Sequence, residues 1–322
     1  MKIVFFGTPE FAVASLDALV KNGFDVAAVV TMPDKAAGRG QHISMSDVKK
    51  YALEHNLPLL QPVKLKDPDF LEQLKAVGAD LFIVIAFRML PEAVWQMPPL
   101  GTFNLHASLL PLYRGAAPIN RAVMNGDSRT GVTTFMLKHE IDTGDILRQE
   151  SIEIGPEENA GSVHDRLMVL GAELTLDTVR HLEAGDLTPI PQEQLLQGVE
   201  PSPAPKIFKN DCLIDWSASS LAIHNHVRGL APYPAAWSHL AMNAGGEPET
   251  TVKVLSTRIC PQAVACLAPG ELAIVAKKAY AGTGDGVIEL LEVQPAGKRP
   301  MAAVDYLRGM RIGENGRKPF LL

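Results

Sequence analysis

The sequence is poor in cysteine. Cys212, Cys260 and Cys266 are the whole supply in 322 residues. Their odd count and irregular spacing exclude a disulfide framework and a cysteine metal site, and predict free thiols in a reducing cytosol. Long hydrophobic runs are also missing: no stretch approaches the ~20 apolar residues of a membrane-spanning helix. Residues 2–6 (KIVFF) resemble the start of a signal peptide, but the run stops at Gly7, with Pro9 and Glu10 behind it, so a strand is expected instead. The turn after that strand holds a single glycine and no G-x-G-x-x-G, so a dinucleotide cofactor is not expected. A strong basic excess is absent too. Net charge is −6, which argues against bulk nucleic-acid binding. The charge is uneven, however. From Lys206 onward there are 13 Lys and Arg against 10 Asp and Glu, a net of +3, which leaves −9 for the rest. That split permits nucleic-acid contact in the C-terminal part, although ordinary surfaces show the same excess.

What is present is a globular composition, 47 % hydrophobic and 20 % charged, at a length that allows two domains. Residues 2–6 predict a buried strand. Thr8, Pro9 and Glu10 then predict a capped helix start, Gly23 its end, and residues 24–31 a second strand. This βαβ unit predicts a parallel sheet. The stretch MPDKAAGRGQHIS that follows, with Lys35 and Arg39, reads as a long loop. Ser46 and Asp67 read as caps of two further helices. The apolar run 81–86 reads as a central parallel strand ending in Phe87-Arg88-Met89-Leu90-Pro91.

Residues 103–118 (FNLHASLLPLYRGAAP) carry the chemistry. Phe103 and Leu105 alternate with Asn104 and His106, so the amide and the imidazole share one strand face. A core strand has no use for that pair. Residues 131–137 predict another strand, and beyond it Asp142 lies in a glycine-containing turn, from which a carboxylate can orient His106 and favour its charged form. Amide, imidazole and carboxylate at strand ends suit acyl transfer, the amide serving a developing oxyanion. Taken singly, each residue also has an ordinary reading as a turn amide, a core histidine or an Asx-turn residue.

The motif N-x-H-x-S-L-L-P with a later I-D-T-G-D resembles the formyltransferases that use 10-formyltetrahydrofolate. The resemblance covers nearly the whole chain. It implies Asn104, His106 and Asp142 as catalytic residues. It also implies a folate slot walled by Phe87, Met89, Leu90, Ser108, Leu109, Leu110 and Pro111, where the family more often has Tyr-Gly at 87–88. The loop PDKAAGRG is similar to the one that tRNA-directed members insert at the acceptor end, which implies tRNA contacts by Arg39 and Lys35. The expected reaction moves a formyl group from 10-formyltetrahydrofolate to the methionine of initiator tRNA, without a metal, in a cytoplasmic monomer.

Five prolines between 188 and 205 predict a semi-rigid linker. The expected organisation is therefore a Rossmann-like, mostly parallel sheet with helices on both faces over residues 1–188, a linker over 189–205, and a smaller C-terminal domain over 206–322. In that last part short apolar runs alternate with Gly and Pro, which predicts a small antiparallel barrel; the resemblance implies an OB-like one. Lys206, Lys209, Lys298 and Arg299 are its candidate phosphate contacts. His224 and His226, two apart on a predicted helix, do not share a face and are not expected to bind metal. Two other readings stay open: a formyltransferase for an amino sugar nucleotide, and a non-catalytic folate- or RNA-binding module.

Overall fold

The structure, a computed structural model, describes residues 1–37, 42–196, 198, 200–243, 246–260, 266–310 and 319–322. The chain divides into two compact units. One comprises Met1–Gly115, Thr130–Ile152 and His164–Ala204; the other comprises Ala116–Arg129, Glu153–Val163 and Pro205–Leu322.

The first unit begins with β1 (Lys2–Gly7), α1 (Glu10–Lys21) and β2 (Asp25–Val30). Next come β3 (Lys35–Ala37), β4 (His42–Ser44), α2 (Asp47–Glu54), β5 (Leu59–Leu60), α3 (Pro68–Val77), β6 (Leu81–Ile85), α4 (Glu92–Trp95), β7 (Thr102–His106) and β8 (Arg114–Gly115). After α5 (Pro118–Met124), which belongs to the second unit, the chain continues through β9 (Arg129–Met136), β10 (Ile146–Glu153), α6 (Ala160–Ala184), α7 (Glu193–Leu196) and β11 (Pro203–Ala204). The main sheet runs β10-β9-β7-β6-β1-β2-β5. From β5 to β7 the neighbours are parallel, and β9 turns antiparallel against β7.

Two of the expected caps form: Ser46 and Asp67 accept backbone N–H groups at the starts of α2 and α3. Thr8 does not cap α1. Pro9 takes that position, and the Thr8 hydroxyl is buried without a hydrogen bond. The stretch read as an open loop instead pairs β3 with β4 antiparallel, since backbone groups need partners even where side chains show no period. Both faces of the sheet are covered. Val4, Phe6, Phe82 and Val84 pack with Phe70 and Leu74 of α3 and Val94 of α4. On the opposite face Leu105 of β7 lies under α6, where Gly171 leaves its side chain room: a Cβ there would fall 2.7 Å from Leu105 Cδ2.

The proline-rich segment is not a free linker. Ile190 exchanges two backbone hydrogen bonds of 2.8 Å with Ile146, Ser202 C=O accepts from Tyr113 N–H, and β11 pairs with β8. Proline removes its own donor, but the amides and carbonyls between the prolines still require partners, and the edges of β10 and β8 supply them.

In the second unit α8 (Ser220–Leu230), capped by Ser219, packs on β12 (Ala236–Ala241), β13 (Thr250–Ile259) and β16 (Val287–Pro295), and the same unit holds β14 (Leu272–Val275), β15 (Lys278–Gly282), β17 (Met301–Ala302), α9 (Ala303–Gly309) and β18 (Phe320–Leu321). The strands run β14-β15-β16-β13-β12-β18. Glu271 bridges Phe320, so the two ends of this antiparallel sheet meet and it closes.

His226 on α8 has a buried Nε2 with no hydrogen-bond partner, and its pKa is lowered, chiefly by burial. The unfolded chain therefore takes up a proton near the usual ~6.5 that the folded chain resists, and stability falls as pH drops through that value. A His226→Leu variant is expected to gain on the parent in Tm by about 2–4 °C between pH 7.5 and 5.5. Melting curves that keep a constant gap over this range refute that account.

Candidate active site

β6 and β7 end side by side, and the candidate residues gather there. The register places Phe6, Val84, Asn104 and Phe135 in one row across four strands, so Asn104 is the polar member of an apolar row. Asn104 is half-buried, and among the described residues its amide has no hydrogen-bond partner. His106 closes the strand on the same face and is buried.

The imidazole is oriented by the backbone that follows it. Its Nε2 donates to the Tyr113 carbonyl at 2.8 Å, and Tyr113 holds a left-handed φ of 61°. Nδ1 faces Asp142, 3.8 Å from Oδ2, which is too long for a hydrogen bond. Asp142 thus joins the site but does not orient the ring directly, as the sequence had led us to expect. Its Oδ2 accepts instead from Gly115 N–H at 2.9 Å, and its own φ is 55°. Gly115, at φ 128°, has no room for a side chain: a Cβ would lie 2.5 Å from the Ala204 carbonyl oxygen.

The SLLP turn is held by Thr133 of β9. Its hydroxyl donates to Ser108 C=O at 2.6 Å and accepts from Leu110 N–H at 3.1 Å and Gln149 Nε2 at 2.9 Å. This changes the expected folate wall. Ser108 is buried with its hydroxyl on Leu112 C=O, Leu110 packs on Phe135 and Ile146, and Pro111 and Leu90 are buried as well. Their side chains face inward because a turn this close to the sheet must complete the core beneath it. Leu109 and Phe87 are half-buried and Met89 is exposed, so these three keep apolar surface open. Arg88 ties this edge down by donating to Pro62 and Val63 carbonyls.

Arg39 lies outside the described residues, and Lys35 belongs to β3. In the second unit Lys206 sits over the Phe208 ring and Lys209 over Trp237; Lys298 and Arg299 are exposed in the turn after β16. Among the described residues no group of three or more His, Cys, Asp or Glu that could hold a metal ion forms. No helix among them is long and apolar enough to cross a membrane.

Thr133, Gln149 and Gln192 were not marked in the sequence. The first two are polar residues on strands, the same signal that marks Asn104. Gln192 carries no local signal; only the fold brings it to Asp142.

The formyl transferase domain matches residues 1–179 and the formyl transferase C-terminal domain matches residues 206–311. The chain belongs to the formyl transferase family. Within it, a methionyl-tRNA formyltransferase of Bacteroides fragilis is 51 % identical over 98 % of this chain and 96 % of its own length. One of Flavobacterium johnsoniae is 47 % identical over 98 % of each. The fold also matches an N-formyltransferase of Helicobacter canadensis solved with folinic acid and dTDP-3-aminofucose, with a TM-score of 0.66 at 18 % identity over 92 % of this chain and 99 % of that one. HypX of Aquifex aeolicus with tetrahydrofolic acid gives 0.64 at 19 % identity over 97 % of this chain and 48 % of that one.

Thr133→Val keeps the shape and removes the hub. Ser108 C=O loses its donor and Leu110 N–H its acceptor, so we expect a loss of about 1–3 kcal/mol in urea unfolding. A change below about 0.5 kcal/mol, the range of a neutral surface substitution, refutes the hub.

Proposed function

We propose that this protein transfers the formyl group of 10-formyltetrahydrofolate to the α-amino group of methionine on initiator tRNA. The observation that carries this reading is the near-half identity to methionyl-tRNA formyltransferases along the entire chain, including the C-terminal unit. The likeness to the amino-sugar enzyme, at 18 % identity, supports the fold and not its acceptor.

The unpartnered Asn104 amide donates to the formyl oxygen as negative charge develops on it. Losing such a donor costs on the order of 10²–10³ in rate. With Nε2 spent on Tyr113, His106 serves the reaction through Nδ1, the nitrogen beside Asp142. In its protonated form it donates to the same oxygen, and Asp142 balances the charge. Asp142, directly or through one water, takes the proton that the attacking amine loses. The carbon–nitrogen bond to the folate then breaks as the proton taken up by Asp142 passes, directly or through the same water, to that nitrogen, which leaves as the amine. Phe87, Met89 and Leu109 offer apolar surface to the pterin. Ser108, Leu110, Pro111 and Leu90 hold this wall in place from behind. Lys206, Lys209, Lys298 and Arg299 contact phosphates, and Arg39 with Lys35 contacts the acceptor end.

Formyl transfer is measured with charged initiator tRNA and, separately, with a sugar-nucleotide amine, for the parent and Asp142→Asn. The tRNA is expected to be the formylated acceptor and the variant to lose at least about 10²-fold in kcat with its fold intact. Exclusive turnover of the sugar nucleotide overturns the substrate, and parental kcat overturns the role of Asp142.

Arg39→Ala is expected to raise KM for charged tRNA about tenfold, the effect of ~1.4 kcal/mol, with folate affinity unchanged. An equal loss for both substrates assigns the loop another task.

A further inference from the structure

We infer that Gln192 is a positioning residue for Asp142, so that one amide from the proline-rich segment sets the place of the candidate proton acceptor. The inference rests on the role given to Asp142 above.

Gln192 is fully buried. Its Oε1 accepts from Arg114 Nε at 3.0 Å and Nη2 at 2.7 Å, and its Nε2 donates to Asp142 C=O at 2.9 Å and Gly144 C=O at 2.8 Å. Four bonds saturate the amide. They join three segments distant in sequence: the strand after the SLLP turn, the turn holding Asp142, and residues 190–204.

Asp142 needs such a tie. It occupies the left-handed region, which is sparsely populated by residues other than glycine, so contacts that hold it there matter. Its carboxylate is fixed by Gly115 N–H and its carbonyl by Gln192, so the residue is held at both ends. Gly115 is in turn the neighbour of Arg114. The amide that holds the Asp142 carbonyl therefore also holds, through the guanidinium, the strand that presents the N–H to the Asp142 carboxylate. The guanidinium on Oε1 polarises the amide and strengthens its two donors. On the other side, Gly144 is packed against β9 so closely that a Cβ would overlap the Met136 carbonyl. A shift of this turn away from β9 would break its two bonds to Gln192.

Two substitutions separate positioning from plain structural support. Gln192→Met removes all four bonds at similar volume. Gln192→Glu keeps the acceptor for Arg114 but turns one carboxylate oxygen, in place of Nε2, toward two carbonyls. Single-turnover formyl transfer and steady-state kinetics are measured for each, alone and combined with Asp142→Asn. Each single variant is expected to lose about 10- to 100-fold in kcat, as a catalytic group misplaced by an ångström does, with KM for both substrates within about twofold. In the Asp142→Asn background the same substitution is expected to cost less than about twofold, because the residue it positions no longer acts. An equal fold-loss in both backgrounds, or a loss confined to KM, overturns the inference. Parental turnover by a Gln192 variant while Asp142→Asn is slow overturns Gln192 alone. Parental turnover by Asp142→Asn overturns the role of Asp142 and this inference with it. Should the Met variant fail to fold, the Glu variant, which keeps the guanidinium pair, carries the same comparison.

Discussion

The hydrogen bond from His106 Nε2 to the Tyr113 carbonyl is the contact on which the arrangement of the site depends. It ties the end of β7 to a left-handed residue seven positions on, and so fixes how the chain between them must turn. The bond is internal to a buried region, where an unpaired donor or acceptor costs about 1–3 kcal/mol. Rotating the ring would therefore leave both the imidazole and the carbonyl unsatisfied. One nitrogen is thus committed to structure and the other is directed toward Asp142. A strand face that is apolar at Phe6, Val84 and Phe135 can carry two polar side chains because the turn above them supplies one partner and leaves Asn104 open.

Everything around that bond holds the turn in the conformation it requires. Ser202 C=O fixes the Tyr113 amide, Thr133 fixes the SLLP backbone, and Gly115 N–H fixes the Asp142 carboxylate. None of these anchors lies close in sequence to the group it serves. The sheet order explains how they meet: β9 lies beside β7, and the residues after α6 return along β8 and β10.

What could be read from the sequence was whatever depends on local periodicity or local capping. Alternation over 103–106 put Asn104 and His106 on one face, Ser46 and Asp67 announced their helices, and the short apolar runs after Ser219 became an antiparallel sheet that closes. The misreadings have two causes, one a choice between neighbouring residues and the other a partner that lies far away. Thr8 looked like a cap by its neighbours, but Pro9 took the position. The prolines at 189–205 read as a spacer because proline content describes local stiffness and says nothing about the edge of β10 that accepts the segment. The resemblance assigned the SLLP residues to a folate wall, and nothing local in the sequence shows what their turn packs on. Here it closes over Phe135 and Ile146, so Ser108 and Leu110 serve the core. The triplet itself was legible as residue types at strand ends, whereas the identity of the group that orients His106 was not, because a backbone carbonyl leaves no mark in a sequence.

The separation of 3.8 Å between His106 and Asp142 has its own logic. Had the carboxylate bonded the imidazole directly, its position would have changed with every proton gained or lost by the ring. Instead it rests on Gly115 N–H, a neutral donor that does not titrate, while its backbone is held by an amide that does not titrate either. The ring likewise rests on a carbonyl. Each member of the pair is therefore placed by groups whose charge is constant. Groups placed by fixed dipoles are the condition under which a site favours a transition state at no cost of reorganisation; in the proposed reaction, backbone groups and one buried amide would supply it.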